Sequence, residues 1–405
     1  MPNSLRQPTG PLAGIKIVDL TTIIMGPYAT QILGDMGADI IKVERPTGDV
    51  LRYSNQGRSK GMSNIFLNNN RNKRSLVLDL KQTAGKEALF NLIKKSDVLV
   101  SNVRTQAMAR LGLSYEAIKV IKPDIVYLSC IGFGQQGPYA KRPAYDDLIQ
   151  AMAGFPNLFT KAYGSDPTFI PSNLCDRITG LNVVNGITAA LLYRERTGQG
   201  QAVEIPMFET LLQFLFADHL GGYTFVPSEP SVGYERIVNP NRKPHRTADG
   251  GFIALLVYND KQWAEFLTLI DRPDLVGQGI FATHAIRGQN FKDVYGFVSD
   301  MIASRPTAEW ADLLGRSDIP HSVVVELEDL FDDEHLQAID YFHQFEHPSE
   351  GTLRTTAIPS QWSESQPNIW RHAPQLGEQS REVLTEIGYT EAEIGTLVEN
   401  GVTNG

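Results

Sequence analysis

One carboxylate stands where a long helix is predicted to begin. Asp176 precedes a helical pattern that runs to about Arg196 and ends in a glycine-rich turn. The free N–H groups and the positive dipole end of a helix start would help to keep this side chain ionised. An ionised carboxylate, with a reference pKa of ~3.9, can attack an activated carbonyl without a general base. Aspartate is also a favoured N-cap, so residue type alone favours capping over catalysis.

A second pattern that could bind a ligand is the G-x-G-x-x-G sequence at Gly132–Gly137, which directly follows a predicted strand. In dinucleotide-binding proteins the helix after such glycines holds the pyrophosphate at its N-terminus. Pro138 and Pro143 follow here and prevent a long helix from forming. We therefore expect no nicotinamide cofactor at this loop.

The cysteines and histidines form no recognisable disulfide or metal pattern. Cys130 and Cys175 are the two cysteines of the chain, and they lie far apart in sequence. None of the eight histidines belongs to a metal-binding or triad motif, so we expect no metal site. Such sparse cysteine usage is typical of a reducing, cytoplasmic compartment.

The overall composition narrows the class of protein further. The chain has 405 residues, 42% of them hydrophobic, which predicts a globular protein with two domains. Its net charge of −9 argues against a broad nucleic-acid surface but allows a local basic pocket. The start of the sequence lacks a signal-peptide core and no apolar run reaches ~18 residues, so we expect no membrane partner.

Strand-like and helix-like segments alternate over the first half of the chain. This alternation predicts an α/β fold with a largely parallel sheet covered on both faces. A passage containing prolines and glycines, from Gly221 to Pro244, then precedes amphipathic helices that suggest a smaller second domain. A further helix is predicted from Arg381 to Glu399. The predicted strands are Ile15–Leu20, Asp39–Glu44, Ser75–Leu80, Asp97–Val100, Ile125–Ser129 and Ala202–Ile205.

Short motifs follow one another in a fixed order along nearly the whole chain. They are Gly10–Gly14, Gly26-Pro27, Leu33–Asp39, Ile41–Glu44, Asn72–Ser75, Leu78–Lys81, Gly132–Gln135, Gly137–Tyr139, Asp176–Gly180, Thr197–Gln201 and Ala373–Glu378. Each motif is weak alone, but their ordered combination resembles the family III CoA-transferases. That family includes formyl-CoA transferase, carnitine CoA-transferase and alpha-methylacyl-CoA racemase.

The resemblance implies an architecture that periodicity alone does not give. It implies a large Rossmann-like domain with a parallel sheet, built from both chain ends, and a smaller α+β domain between them. The corresponding bounds are 1–220 for the first part of the large domain, 221–330 for the linker and small domain, and 331–405 for the return. It also implies a homodimer in which the two chains interlock.

The resemblance further implies which residues carry the site. Asp176 matches the nucleophile, which lies about thirty residues after the tyrosine of a Tyr-x-x-x-x-Gln helix, here Tyr145–Gln150. The resemblance implies a coenzyme A thioester as substrate, with no permanently bound cofactor. A lysine of formyl-CoA transferase is replaced by Pro143, and Lys141 or Arg142 could substitute for it. The expected CoA contacts are Arg45, Leu78, Lys81, Asn102 and Arg110, with Lys73 and Arg74 as additions, and the expected substrate contacts are Ile24, Met25 and Tyr145.

Several activities within the family are compatible with these residues. We expect CoA transfer from an acyl-CoA to a small carboxylic acid, either between molecules or within one dicarboxylic acid. Racemisation is the second hypothesis, but Tyr145 replaces the histidine base of the racemase branch, and a neutral phenol is a poor base. A non-catalytic CoA-binding subunit is the third. A formyl or oxalyl substrate is less expected, because Ile24 replaces a glutamine of formyl-CoA transferase and no glycine run lies between Pro240 and Asp249.

Overall fold

A computed structural model describes residues 7–229 and 231–404, and these form two compact units. The first unit contains the chain up to Ala153, the segment Phe169–Phe214, and the chain from Asp340 onward. The second unit contains Gly154–Thr168 and Leu215–Ile339. The domain bounds at 220 and 330 stay a prediction.

A six-stranded parallel sheet forms the centre of the first unit, as the alternating pattern predicts. Its strands lie in the order β3-β2-β1-β4-β5-β6, which is the order of a Rossmann-type sheet. The inner strands are apolar and buried because helices cover both faces of the sheet. The strands are β1 (Lys16–Asp19), β2 (Asp39–Glu44), β3 (Lys73–Val77), β4 (Val98–Ser101), β5 (Val126–Ile131) and β6 (Gln201–Pro206).

The helices of this unit connect the strands and end the chain. One sequence prediction was wrong: Arg381–Glu399 is two helices, because Gly388 adopts a φ of 107° and Thr390 begins a new helix with a capping box. The helices are α1 (Met25–Asp35), α2 (Asn64–Leu67), α3 (Thr83–Lys94), α4 (Thr105–Arg110), α5 (Tyr115–Ile121), α6 (Asp146–Met152), α8 (Leu174–Thr197), α15 (Ser380–Glu386) and α16 (Glu391–Glu399). A further helix, α9 (Met207–His219), continues past Phe214.

The carboxyl-terminal segment returns to this sheet through specific hydrogen bonds. The backbone N–H groups of Trp370 and Arg371 both donate to Asn72 Oδ1 at 2.8 Å. The Trp370 indole N–H donates to the carbonyl oxygen of Gly34 at 3.0 Å. Val383 and Leu384 of α15 lie in the same apolar cluster as the strand residues. A hairpin of β10 (Phe342–His347) and β11 (Gly351–Thr356) precedes this segment.

The second unit has a core and a small sheet of its own. Its core contains Trp310 and Phe266, both fully buried, together with Trp263. Three antiparallel strands, β7 (His245–Arg246), β8 (Phe252–Leu255) and β9 (His321–Val323), form its sheet. This unit is therefore α+β, as expected. Its helices are α7 (Phe155–Tyr163), α10 (Asp260–Leu269), α11 (His284–Gln289), α12 (Phe291–Ile302), α13 (Thr307–Gly315) and α14 (Glu334–Ala338). Within the described residues, no helix is long and apolar enough to cross a membrane.

The strand order of the large sheet fixes where a ligand site can form. β1 pairs with β2 on one side and with β4 on the other. Successive strands are therefore added in one direction from β1 to β3 and in the opposite direction from β4 to β6, so the order reverses between β1 and β4. At such a switch point the loops after the two strands diverge and leave a crevice at the carboxyl edge of the sheet. Here those loops are 20–24 after β1 and 102–104 after β4.

Candidate active site

Asp176 lies in the first turn of α8, whereas the sequence predicted that it stands at the start of the helix. The helix begins at Leu174, so Asp176 is its third residue rather than a cap. The backbone N–H of Asp176 donates to Asp146 Oδ2 at 2.9 Å. Asp146 lies in the first turn of its own helix, α6, and its carboxylate also accepts from the turn that carries Asp176.

Gln150, the last residue of the Tyr-x-x-x-x-Gln motif, has a structural role at this site. Gln150 is fully buried, and its Nε2 donates to Asp146 Oδ1 at 2.7 Å. Its Oε1 accepts from the backbone N–H of Ile170 at 3.0 Å, in the segment that leads to α8. Gln150 therefore links α6 to the approach to α8 and holds the Asp146 carboxylate against Asp176.

The surroundings of Asp176 oppose its ionisation. Burial, together with the negative charge of Asp146, raises the pKa of Asp176 to about 7, although Arg177 partly offsets this. A free aspartate would be almost fully ionised at neutral pH, whereas this one is divided between both forms. A poorly solvated carboxylate is also a stronger nucleophile, because less water must leave it before it attacks. Perturbed pKa values of this kind cluster at functional sites.

Asp176 lines a cavity of about 210 Å³, which we call the Asp176 cavity. All of the predicted substrate contacts lie in its wall, together with two apolar residues, Phe133 and Met207, that the sequence did not single out. Two arginines, Arg104 and Arg142, also line it and were not predicted as substrate contacts. The predicted substrate contacts in the wall are Ile24, Met25 and Tyr145.

A second cavity, of about 390 Å³, adjoins the first at the switch point between β1 and β4. We call it the Arg45 cavity, because the exposed side chain of Arg45 lies at its edge. Its wall is mostly apolar and includes Val43, Leu80 and Met108. Thr22 and Ile23 line both cavities, so the loop after β1 is the partition between them. Both cavities are formed wholly by residues of the first unit.

The other predicted CoA contacts fall into three groups. Lys81 and Arg110 are exposed, after β3 and at the end of α4, where a phosphate could reach them. Asn102 lines the Asp176 cavity, and its side-chain amide exchanges two hydrogen bonds with the backbone of Thr22, at 3.0 and 2.8 Å. Leu78 is 1% exposed and belongs to the core beside the cavity wall.

Lys73 and Arg74 belong to the interior of the sheet rather than to a cavity. The fully buried Lys73 ammonium donates to the carbonyl oxygen of Pro27 and to Asn70, and it pairs with Asp19 at 3.4 Å. Arg74 is 4% exposed, and its guanidinium bonds three acidic side chains. Both cations are occupied by partners inside the unit, which argues against a CoA contact for either of them. The Arg74 partners are Asp39, Glu382 and Glu386.

The glycine pattern after β5 does not form a phosphate loop, as its prolines predicted. The backbone N–H of Gly134 donates to Glu209 at 2.9 Å, and that of Gln135 donates to Glu204 at 3.0 Å. The stretch from Gly132 to Tyr145 is described throughout and contains no helix. Carboxylates already occupy the amides that a pyrophosphate would need.

Comparisons with known proteins identify the family of this chain. The sequence matches the model of CoA-transferase family III over residues 12–380. It is 31% identical to the succinyl-CoA–L-malate CoA-transferase beta subunit of Chloroflexus aurantiacus, over 96% of this chain and 97% of that one. It is 32% identical to the formyl-CoA:oxalate CoA-transferase of Streptomyces avermitilis, over 97% of this chain and all of that one.

The fold has a close counterpart among solved structures. A CaiB/BaiF family protein from Brucella suis superimposes with a TM-score of 0.79 and 28% identity, covering 94% of this chain and all of that one. The family match, the relatives and the fold agree with the resemblance seen in the motifs. The chain belongs to CoA-transferase family III and is an enzyme of the CoA-transferase class.

Proposed function

We propose that this transferase moves CoA from an acyl-CoA to a small carboxylic acid through a covalent intermediate on Asp176. The observation that carries the proposal is the junction of the two cavities. One contains a poorly solvated carboxylate, and the other is apolar with a cation at its edge, with only the loop of Thr22 and Ile23 between them. A thioester bound across that loop would bring its carbonyl carbon to Asp176.

The chemistry proceeds by exchange at the Asp176 carboxylate. Asp176 attacks the thioester carbonyl, the C–S bond breaks, and a mixed anhydride and the CoA thiolate result. The thiolate attacks the Asp176 carbonyl, which releases the donor acid and leaves CoA as a thioester of Asp176. The acceptor carboxylate then repeats these two steps in reverse order. Each bond broken is matched by one formed, so no oxidant, metal or external proton is consumed.

The Arg45 cavity supplies the chemistry that coenzyme A requires. Its apolar wall suits the pantetheine arm, and Arg45 at its edge suits a phosphate group. The exposed Lys81 and Arg110 do not line the cavity, but they are next in sequence to the lining residues Leu80 and Leu111 and could reach further phosphates. Arg104 and Arg142 favour an acid that carries a second anionic group in the Asp176 cavity. The two relatives compared above are named for dicarboxylic acids, malate and oxalate, which supports this choice.

One experiment separates the possible activities. The purified protein is incubated with succinyl-CoA and a panel of mono- and dicarboxylic acids, and new thioesters are detected by mass spectrometry. New acyl-CoA products support intermolecular transfer, whereas regioisomers formed without added acid indicate transfer within one molecule. Deuterium incorporation at the α-carbon alone indicates racemisation. If none is seen with the purified protein, the hypothesis of a CoA-binding subunit gains support, and the relative from Chloroflexus aurantiacus is itself named as a subunit.

We propose that two copies of the chain form the active enzyme. Leu181, Leu192 and Tyr193 on α8 are 48%, 52% and 43% exposed, and Phe214 is 53% exposed. Large apolar side chains grouped on long helices are typical of a surface that another chain covers. We expect sedimentation at twice the 44.9 kDa mass of one chain. The free, buried thiols of Cys130 and Cys175 support a cytoplasmic location.

The pH dependence of kcat/KM should report the titration of Asp176. Because the attacking form is the ionised carboxylate and its pKa is about 7, kcat/KM should rise with pH and level off above that value. We expect a slope of roughly tenfold per pH unit well below the midpoint. Asp146→Asn removes a neighbouring negative charge, so the midpoint should move to lower pH. A profile that is flat from about pH 5.5 to 8 would contradict this assignment.

A further inference from the structure

Ile23, in the partition between the two cavities, has a backbone conformation that its residue type disfavours. Its φ is 71°, in the left-handed region, where a β-branched side chain meets its own backbone. Four other non-glycine residues within the described ranges have positive φ, and all are asparagine or aspartate, which tolerate it. Strain of this kind persists only where surrounding contacts impose it, and it clusters at functional sites.

The contact that imposes it is a buried carboxylate. The backbone N–H of Ile23 donates to both oxygens of Asp49, at 3.3 and 3.2 Å. Asp49 is 1% exposed, and it also accepts from the backbone N–H of Leu51 at 3.0 Å. Its position is fixed in turn, because its own N–H donates to Glu44 at 3.0 Å.

Lys42 extends this anchor to the other side of the strained residue. Its ammonium pairs with Asp49 Oδ2 at 2.9 Å and donates to the carbonyl oxygen of Thr21 at 2.8 Å. Both charged side chains are fully buried. The ion pair therefore hydrogen-bonds the backbone at two positions that are two residues apart, the carbonyl of Thr21 and the amide of Ile23. Asn102 holds Thr22 from the opposite side.

We propose that Asp49 is a positioning residue of the transfer reaction, which acts by holding Ile23 in its left-handed conformation. In that conformation the loop partitions the two cavities and presents Ile24 and Met25 to the Asp176 cavity. If Ile23 relaxes to negative φ, the loop rotates and a thioester can no longer reach from the Arg45 cavity to Asp176. This inference rests on the proposed function, because it assumes that one thioester occupies both cavities.

A purely structural role is the alternative. Asp49 also caps the short 3-10 turn Val50–Tyr53, and its removal leaves the buried charge of Lys42 without its partner. Both effects would lower stability whatever residue occupies position 23. Glycine at position 23 distinguishes the two roles, because glycine adopts a φ of 71° without strain and does not need the anchor.

The test is a double-mutant cycle with wild type, Asp49→Ala, Ile23→Gly and the double variant. We expect Asp49→Ala to lower kcat/KM by at least about tenfold in the isoleucine background and by less than about threefold in the glycine background. The free-energy cost of leaving Lys42 without its partner is the same in both backgrounds, so it cancels when the two losses are compared. Equal losses in both backgrounds overturn the inference. If Asp49→Ala does not fold, the pair Lys42→Met/Asp49→Ala replaces it in the same cycle.

A second measurement is independent of activity. The crystal structure of Asp49→Ala should show residue 23 at negative φ, and a retained φ near +70° overturns the inference. If the wild-type protein transfers no CoA at all, the proposed function fails, yet this structural result still decides whether Asp49 imposes the conformation. Thermal melting of all four proteins is recorded with the kinetics, since a structural role predicts parallel losses of stability and activity.

Discussion

Replacing Asp176 with alanine should reduce kcat for CoA transfer by at least ~10³-fold, because it removes the carboxylate that is proposed to carry the covalent intermediate. The acyl-CoA donor should bind nearly as well as before, since its contacts are expected in the Arg45 cavity and not at position 176. Steady-state kinetics with succinyl-CoA, combined with calorimetric titration of CoA, measures both quantities. The matched control is Asp166→Ala, which removes an exposed carboxylate ten positions away and should leave kcat unchanged.

Trapping provides the direct readout for this prediction. Wild-type enzyme incubated with acyl-CoA and hydroxylamine, or with borohydride, should acquire a modification on the peptide that contains Asp176. The alanine variant should remain unmodified under the same conditions. Full-speed exchange by that variant, or a modification mapped to another carboxylate, would refute the assignment of Asp176 as nucleophile.

Gly180→Ala should impair both stability and activity, although alanine normally stabilises a helix. A Cβ at position 180 would lie 2.9 Å from the carbonyl oxygen of Met25 and 2.9 Å from a ring carbon of Tyr28. The backbone of α1 cannot yield as a flexible side chain can, so the two helices must separate. We expect a loss of about 1–3 kcal/mol in the free energy of unfolding. We also expect roughly tenfold lower kcat/KM, because Met25 lines the Asp176 cavity.

The same helix supplies the control. Gly186 also lies in α8, but a Cβ there would meet only side-chain atoms of Leu128, Val203 and Ile205, none closer than 3.4 Å. Gly186→Ala should therefore be neutral or stabilise by up to about 1 kcal/mol, as expected for alanine in a helix. Chemical denaturation and kinetics on both variants test the pair. Similar behaviour of the two would show that close packing at Gly180 does not position α1.

The sequence predicts some strands of the sheet more accurately than others. β2 is observed with its predicted bounds, Asp39–Glu44. The third strand is displaced, since Ser75–Leu80 was predicted and Lys73–Val77 is found. Lys73 and Arg74 enter this strand because acidic side chains from other segments pair with them, and a single sequence does not reveal such partners. Because those acidic partners could not be seen in the sequence, the same two cations were expected to contact CoA.

The chemistry of the site depends on contacts that are distant in sequence. The motifs indicate Asp176, but its pKa depends on Asp146, thirty residues earlier, and on burial by the fold. The role of Asp49 could not be predicted, because the strain at Ile23 appears only when β1 and β2 lie side by side. Residue type and spacing thus identify the reacting group, whereas its environment follows from long-range packing.

The joining of both chain ends in one unit constrains the synthesis of this enzyme. The side-chain oxygen of Asn72 accepts a hydrogen bond from the backbone amide of Trp370, which lies 298 residues later in the chain. At ~5–20 residues per second, a ribosome needs roughly 15 to 60 s to make that interval. During that time the nascent amino-terminal sheet lacks the segment that covers Gly34 and Asn72, so newly made chains should depend on chaperones until translation ends.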